Sequence, residues 1–455
     1  MKICVDTQTL AIKPTGISRY TASLYGGYLR QFPEDVLEAI SFSKDHNFPY
    51  DPDLYSRLFP GGDCERWRLQ RNWLFKGKGR VIVLKRMNSQ MRYEAYRLDL
   101  KYHRKKPANA LRRACNKLKR ETMLLHMKAF RFLRYLSHGP LQPVYGDVVT
   151  DVIHSPFHPF PEHIVAVNAC ALCVQTVHDL IPHRFPEFST ERGINRMQGI
   201  IRSARQCDVV LVPSEATKID LLACGGFEEK PIEVTPLAAD PVFSPASDVE
   251  IAECRAKFSI PEDRKYFLSV STLEPRKNFP FLLKAFKSMC GILDGKAPKP
   301  LLVLTGTIGW GDSTQHEIRT LLEEMGDLVV YTGYVTDRDL RALYSGALSF
   351  LMPSLYEGFG LPLLEAMACG TPVISSNASS MPEVVGDAGI MLSPYDESAW
   401  VSAMSSITHL GVAGHAEASK RALERSRLFS WERTALLTRE AYERHLAVKK
   451  TGCRA

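Results

Sequence analysis

The stretch from Ala347 to Ser376 constrains this chain more than any other. Leu348 to Met352 is a short apolar run, the pattern of a strand buried on both faces. Glu357-Gly358-Phe359-Gly360 reads as a loop whose two glycines permit positive φ and leave the backbone bare. Pro362 suits the first turn of a helix, where its missing N–H costs nothing. Gly370 suits the position just past a helix end, and Thr371-Pro372 then forbids continuation. Val373 begins the next strand.

This order of strand, loop, short helix and strand has chemical content. A glycine loop feeding a helix N-terminus offers unpaired amides and a positive dipole end to an anion. Glu357 and Glu365 flank that end. Carboxylates do not bind phosphate; they accept hydrogen bonds from hydroxyls. Amides for phosphate beside carboxylates for hydroxyls suit a sugar nucleotide. A plain strand–helix turn with two solvated glutamates fits the same spacing, because a lone glycine loop is a weak signal.

The wording of the stretch is more specific than its spacing. Glu357-Gly-Phe-Gly-Leu-Pro-Leu-Leu-Glu365, preceded by Pro353-Ser354 and followed by Ala-Met-Ala-Cys-Gly-Thr-Pro-Val373, resembles the E-x7-E signature of retaining glycosyltransferases of family 4. The resemblance implies the α/β fold called GT-B, with two Rossmann-like domains facing a cleft. It implies a nucleotide-sugar donor, GDP-mannose as the first expectation, by similarity to bacterial polysaccharide and lipopolysaccharide mannosyltransferases. No cofactor and no metal are expected.

Further residues take roles from the same resemblance. Thr272-Leu-Glu-Pro-Arg-Lys-Asn278 follows a strand at 265–271. Arg276 and Lys277 there are expected to neutralise the donor diphosphate and stabilise it as leaving group. Many relatives carry a further arginine near the position of Ser271, which puts more weight on this pair. Glu365 is expected to accept from ribose hydroxyls and Glu357 from hexose hydroxyls. The amides of Phe359, Gly360 and Leu361, beside Gly358, would lie near the sugar and diphosphate, with Tyr334 and Val335 at the base. His178, at a strand end, would face the transferred sugar, with Asp179 orienting it. Gly16 occupies the place of a family glycine in the first loop, though a plain strand–helix turn reads the same residues. His178, Glu357 and Lys277 are the candidate catalytic residues.

Length and composition agree with this outline. A chain of 455 residues exceeds one ordinary core. The expected division is an N-terminal acceptor-side domain at 1–240, a linker at Asp240–Pro245, a donor domain at 246–429, and a final helix from 430 returning to the first domain. No apolar run reaches the ~18 residues of a membrane span. Eleven scattered cysteines predict reduced, buried thiols and a cytoplasmic protein. Cys170-Ala-Leu-Cys173 has no second pair and reads as strand rather than zinc site. Asp51-Pro-Asp53 reads as a turn. No G-x-G-x-x-G opens either half, which argues against nicotinamide chemistry. A sugar-nucleotide epimerase, a phosphorylase and a UDP-sugar-dependent transferase stand as alternatives. So does an inactive adaptor on the same fold, which would have no need of Lys277, Glu357 and Glu365 together.

Charge is unevenly placed. The net charge is +8, yet residues 66–134 hold 22 Lys and Arg against three acids, a net +19. The rest of the chain is therefore acidic. Aromatic residues interleave with the cations; the segment reads as an insertion at about 66–138 in the N-terminal domain, and 111–134 in its second half has the pattern of a basic amphipathic helix. Such a segment suits an anionic membrane surface, with a solvated helical face and a nucleic acid as competing readings. The expected partners are a nucleotide sugar, a glycan or lipid-linked acceptor and the inner membrane face, without nucleic acid. Cosedimentation with vesicles is expected to rise with anionic lipid content and to be lost at high salt. Binding that ignores both would contradict a membrane role.

Overall fold

A computed structural model describes residues 1–6, 16–40, 150–160, 170–293, 298–307, 309 and 312–452. The basic segment and its expected helix lie outside them, as do Asp51-Pro-Asp53 and the loop preceding Gly16.

Strands and helices alternate. The order begins β1 (Lys2–Asp6), α1 (Gly16–Gln31), β2 (Val36–Ile40), β3 (Val152–Ser155), β4 (Leu172–Thr176), α2 (Ile181–Arg184), α3 (Glu191–Gln206), β5 (Val209–Val212), α4 (Glu215–Ala223) and β6 (Ile232–Val234). It continues with α5 (Asp248–Lys257), β7 (Tyr266–Val270), α6 (Phe279–Ile292), β8 (Leu301–Thr305), α7 (Asp312–Met325), β9 (Val329–Gly333), α8 (Asp337–Ser345) and β10 (Ser349–Met352). Then come α9 (Leu361–Ala368), β11 (Val373–Ser376), α10 (Met381–Val385), β12 (Ile390–Leu392), α11 (Glu397–Thr408), α12 (Gly411–Ser426) and α13 (Trp431–Gly452). The strands form two six-stranded sheets, of order β2-β1-β3-β4-β5-β6 and β12-β11-β10-β7-β8-β9. The registered pairs are parallel, which requires helical crossovers and buries the strands on both faces. β3, β4, β5, β8, β10 and β11 are accordingly buried at every position.

Local chemistry sets the element ends. Ser214 caps α4 by accepting from the Thr217 amide, and Ser247 with Glu250 forms a capping box on α5. β9 stops at Gly333, which turns the chain with a φ of 66°. α6 begins at Phe279, with Pro280 tolerated in its first turn. Cys4, Cys173, Cys207, Cys254, Cys290 and Cys369 are buried free thiols as expected, but Cys170 is exposed.

Contacts divide the chain into two compact units. One comprises Met1–Thr176, Gln206–Val209 and Tyr442–Ala455; the other comprises Val177–Arg205 and Val210–Ala441. In the first, the end of α13 is tied down by a buried polar cluster. Tyr442 Oη lies 2.6 Å from His154 Nδ1 and 3.1 Å from Tyr25 Oη, while His154 Nε2 lies 2.7 Å from Thr176 Oγ1. Lys449 and Lys450 pair with Asp208 and Asp151 at 2.5 and 2.8 Å. In the second unit the core packs Phe267, Phe286, Leu302, Leu304, Leu351, Ile374 and Trp400 around the sheet. No described helix is long and apolar enough to cross a membrane.

Tyr442→Phe keeps the ring and removes the hydroxyl from this cluster. Urea denaturation is expected to show a loss of about 1–3 kcal/mol, because buried polar partners are left unmade. An unchanged midpoint would contradict the role given to the cluster.

Candidate active site

The candidate site is built in the second unit from loops at the ends of its strands. The loop after β10 runs into α9 through Gly360, which has a φ of 112° and a ψ of 41°. α9 ends at Cys369, and Gly370 follows with a φ of 78°. The strand, glycine loop, helix and strand read from the sequence are thus present. The loop after β7 forms a 3-10 turn at Pro275–Lys277 and lies beside it. Leu355 N donates to Arg276 O at 2.9 Å. Asn278 donates through Nδ2 to Pro353 O and Pro394 O at 3.3 and 3.0 Å.

Between these loops lies a group of buried charges. Glu357 is 8% exposed. Its Oε1 lies 2.6 Å from Lys277 Nζ and 2.8 Å from Arg276 Nη1. Arg276 is further held by Glu274 Oε1 and by Tyr356 O, each at 2.5 Å. Burial alone would push the Glu357 carboxyl up, but the charges of Arg276 and Lys277 outweigh it and hold the group at about 2. Burial pulls the Lys277 ammonium down, and neighbouring Arg276 adds to this against the pull of Glu357. The two cations differ in their ties. The Arg276 guanidinium has three oxygen partners, whereas Glu357 is the one hydrogen-bond partner of the Lys277 ammonium among the described residues.

The remaining candidate residues fall at several distances from this cluster in the fold. His178 contributes its backbone: a Cβ added at Gly358 would lie 2.2 Å from His178 O and 2.8 Å from Asp179 Cβ. Only glycine permits that approach. Asp179 accepts the Ile181 amide at 3.0 Å. Burial pushes its carboxyl up. Glu365 is half-buried on α9, where Tyr344 Oη donates to its Oε2 at 3.2 Å. Tyr334 is 70% exposed after β9, and Val335 beside it is buried. Gly16 opens α1 in the first unit. The amides of Gly358, Phe359, Gly360 and Leu361 donate to no group among the described residues. No group of three or more His, Cys, Asp or Glu among the described residues is placed to hold a metal ion.

Sequence reading missed Glu274, which anchors Arg276, and Ser379 and Ser380, which reach the glycine loop from before α10. The motif Glu274-Pro-Arg-Lys held a signal for the first, an acid two residues before a buried arginine.

Solved structures share this architecture. Sucrose-phosphate synthase from Thermosynechococcus elongatus superposes with a TM-score of 0.60 at 20% identity, over 98% of this chain and 100% of that one. Anabaena HepE, in complex with UDP and glucose, superposes with a TM-score of 0.57 at 16% identity, over 97% and 99%. At these identities they bear on the fold alone. Two parallel-sheet Rossmann-like halves define a protein of the GT-B class. A family model described as Glycosyl transferases group 1 matches residues 250–426, and one described as Glycosyltransferase Family 4 matches residues 125–243. O-antigen chain mannosyltransferase B of Escherichia coli is 34% identical over 274 residues, which are 59% of this chain and 70% of that one. The chain belongs to glycosyltransferase family 4. It also matches the serotype-specific mannosyltransferase WbdA of Escherichia coli at 34% identity, over 47% of this chain but only 27% of WbdA's length.

Two predictions follow from the geometry. Gly358→Ala forces backbone apart at His178, and thermal or urea denaturation is expected to show a loss of about 1–3 kcal/mol; wild-type stability would contradict the close approach. The second concerns acid. The Glu357 carboxyl lies below its ordinary 4.5, at about 2, so its charge stabilises the fold above pH 4.5 and that contribution is lost as pH falls towards 2. Glu357→Gln is expected to flatten the fall in stability across that window. An unchanged slope would mean that Glu357 is not held by these cations.

Proposed function

We propose that this chain transfers a hexose with retention from a nucleotide sugar, GDP-mannose first, to a glycan or lipid-linked acceptor of surface polysaccharide. The observation that carries the donor reading is the cluster at Glu357. Lys277 has a single partner to give up, and it lies beside a loop with open amides. A diphosphate can take Lys277 and those amides, while Arg276 keeps Glu357 ionised for hexose hydroxyls. Mannose is supported by the likeness to O-antigen mannosyltransferases, and the membrane-side location by the +19 segment.

In this reading Lys277 and the loop amides stabilise the charge that grows on the departing diphosphate, so no divalent metal is needed. The bond between hexose C1 and the diphosphate oxygen breaks as the acceptor hydroxyl attacks from the same face. The hydroxyl proton passes to the leaving phosphate oxygen. Glu365 accepts from ribose hydroxyls, and Tyr334 and Val335 lie at the base. His178 completes the donor contacts.

A thermal-shift and turnover panel of nucleotide sugars tests the donor, with chelator present and absent. GDP-mannose is expected to bind and turn over in both. A preference for a UDP sugar would replace the donor, and activity that requires added manganese would refute metal independence. Glu365→Ala is expected to weaken free nucleoside diphosphate by about 1.5–3 kcal/mol in calorimetry. Glu357→Ala is expected to reduce sugar turnover instead, with diphosphate affinity nearly kept. Equal loss in both variants would refute the assignment.

A further inference from the structure

The carbonyls of Tyr356, Glu357, Gly358 and Phe359 are each taken by side chains from elsewhere in the second unit, and Gly360 O by the Leu363 and Leu364 amides. Tyr356 O accepts from Arg276 at 2.5 Å. Glu357 O accepts from Ser379 Oγ and, at 3.0 Å, from Ser380 Oγ. Gly358 O accepts from Ser214 Oγ at 2.8 Å and Thr217 Oγ1 at 3.0 Å. Phe359 O accepts from Ser380 Oγ at 2.8 Å. Ser214, Thr217 and Ser380 are each 1% exposed or less.

This pattern fixes where the amides point. No peptide bond among the described residues is cis. In a trans peptide the C=O of one residue and the N–H of the next point in opposite directions. Holding the carbonyls of Glu357, Gly358 and Phe359 against buried hydroxyls therefore turns the N–H groups of Gly358, Phe359 and Gly360 the other way. Those are amides that have no partner among the described residues. A glycine loop on its own has no such preference, because glycine adopts either sign of φ.

We propose that Ser214, Thr217, Ser379 and Ser380 are positioning residues that lock these peptide planes, so that consecutive amides stand ready for the donor's phosphates. This rests on the nucleotide-sugar reading above. The hydroxyls do not touch the donor; they remove the reorientation that a free loop would undergo on binding it. Ser379 is itself in the left-handed region, with a φ of 54°, a conformation costly for a side-chain-bearing residue and retained where surrounding structure over-determines it.

Calorimetry and competition with GDP and guanosine test this, with UDP and uridine in parallel. Ser380→Ala is expected to weaken the diphosphate about tenfold and leave the nucleoside within about twofold. Thr217→Val, which keeps shape and loses the hydroxyl, is expected to weaken the diphosphate about threefold, and Thr217→Ser to restore it. Should Ser380→Ala fail to fold, the Thr217 pair decides alone. Equal loss of diphosphate and nucleoside, or no loss of diphosphate, overturns the inference. If the wild-type protein binds neither diphosphate, the donor reading falls and takes this inference with it.

Discussion

Glu357 is a buried carboxylate shared between the guanidinium of Arg276 and the ammonium of Lys277. Taking such charges out of water costs several kcal/mol per ion, and only close, well-satisfied partners offset it. Here the offset comes from two loops eighty positions apart in sequence, so the pairing also fixes how those loops meet. Arg276 does the structural part through Glu274 and Tyr356 O. The Lys277 ammonium, tied only to Glu357 among the described residues, is the cation that can change partners.

The parallel sheet explains why this cluster can exist. β7 and β10 are hydrogen-bonded neighbours, so the loops at their C-terminal ends emerge side by side. Burial of β10 at every position leaves those loops little freedom to drift. The glycine loop is then gripped twice, by charge at Glu357 and by hydroxyls on its carbonyls. Gly358 admits a third grip, the close approach of the His178 backbone. A loop held in this way is already arranged, so little reorganisation is left to oppose a ligand that fits it.

What could be read from the chain alone was local. Gly360, Pro362 and Gly370 mark the start and end of α9 because left-handed backbone and a missing N–H are properties of single residues. The fold and the main charged residues came from the resemblance of Glu357–Glu365 and of Glu274-Pro-Arg-Lys. The pairing of Lys277 with Glu357 was not legible, since sequence does not state which side chains a distant loop will meet. Nor was the second use of Ser214, on Gly358 O, or the backbone contact at His178.

The central claim is that Lys277 leaves Glu357 for the donor diphosphate while Arg276 remains. A crystal structure of the protein with bound nucleoside diphosphate tests it most directly. The account predicts Lys277 Nζ within hydrogen-bond distance of a phosphate oxygen, with the Arg276–Glu357 pair intact and the loop amides facing the phosphates. A diphosphate bound with the Lys277–Glu357 pair unbroken and the amides turned away would contradict it.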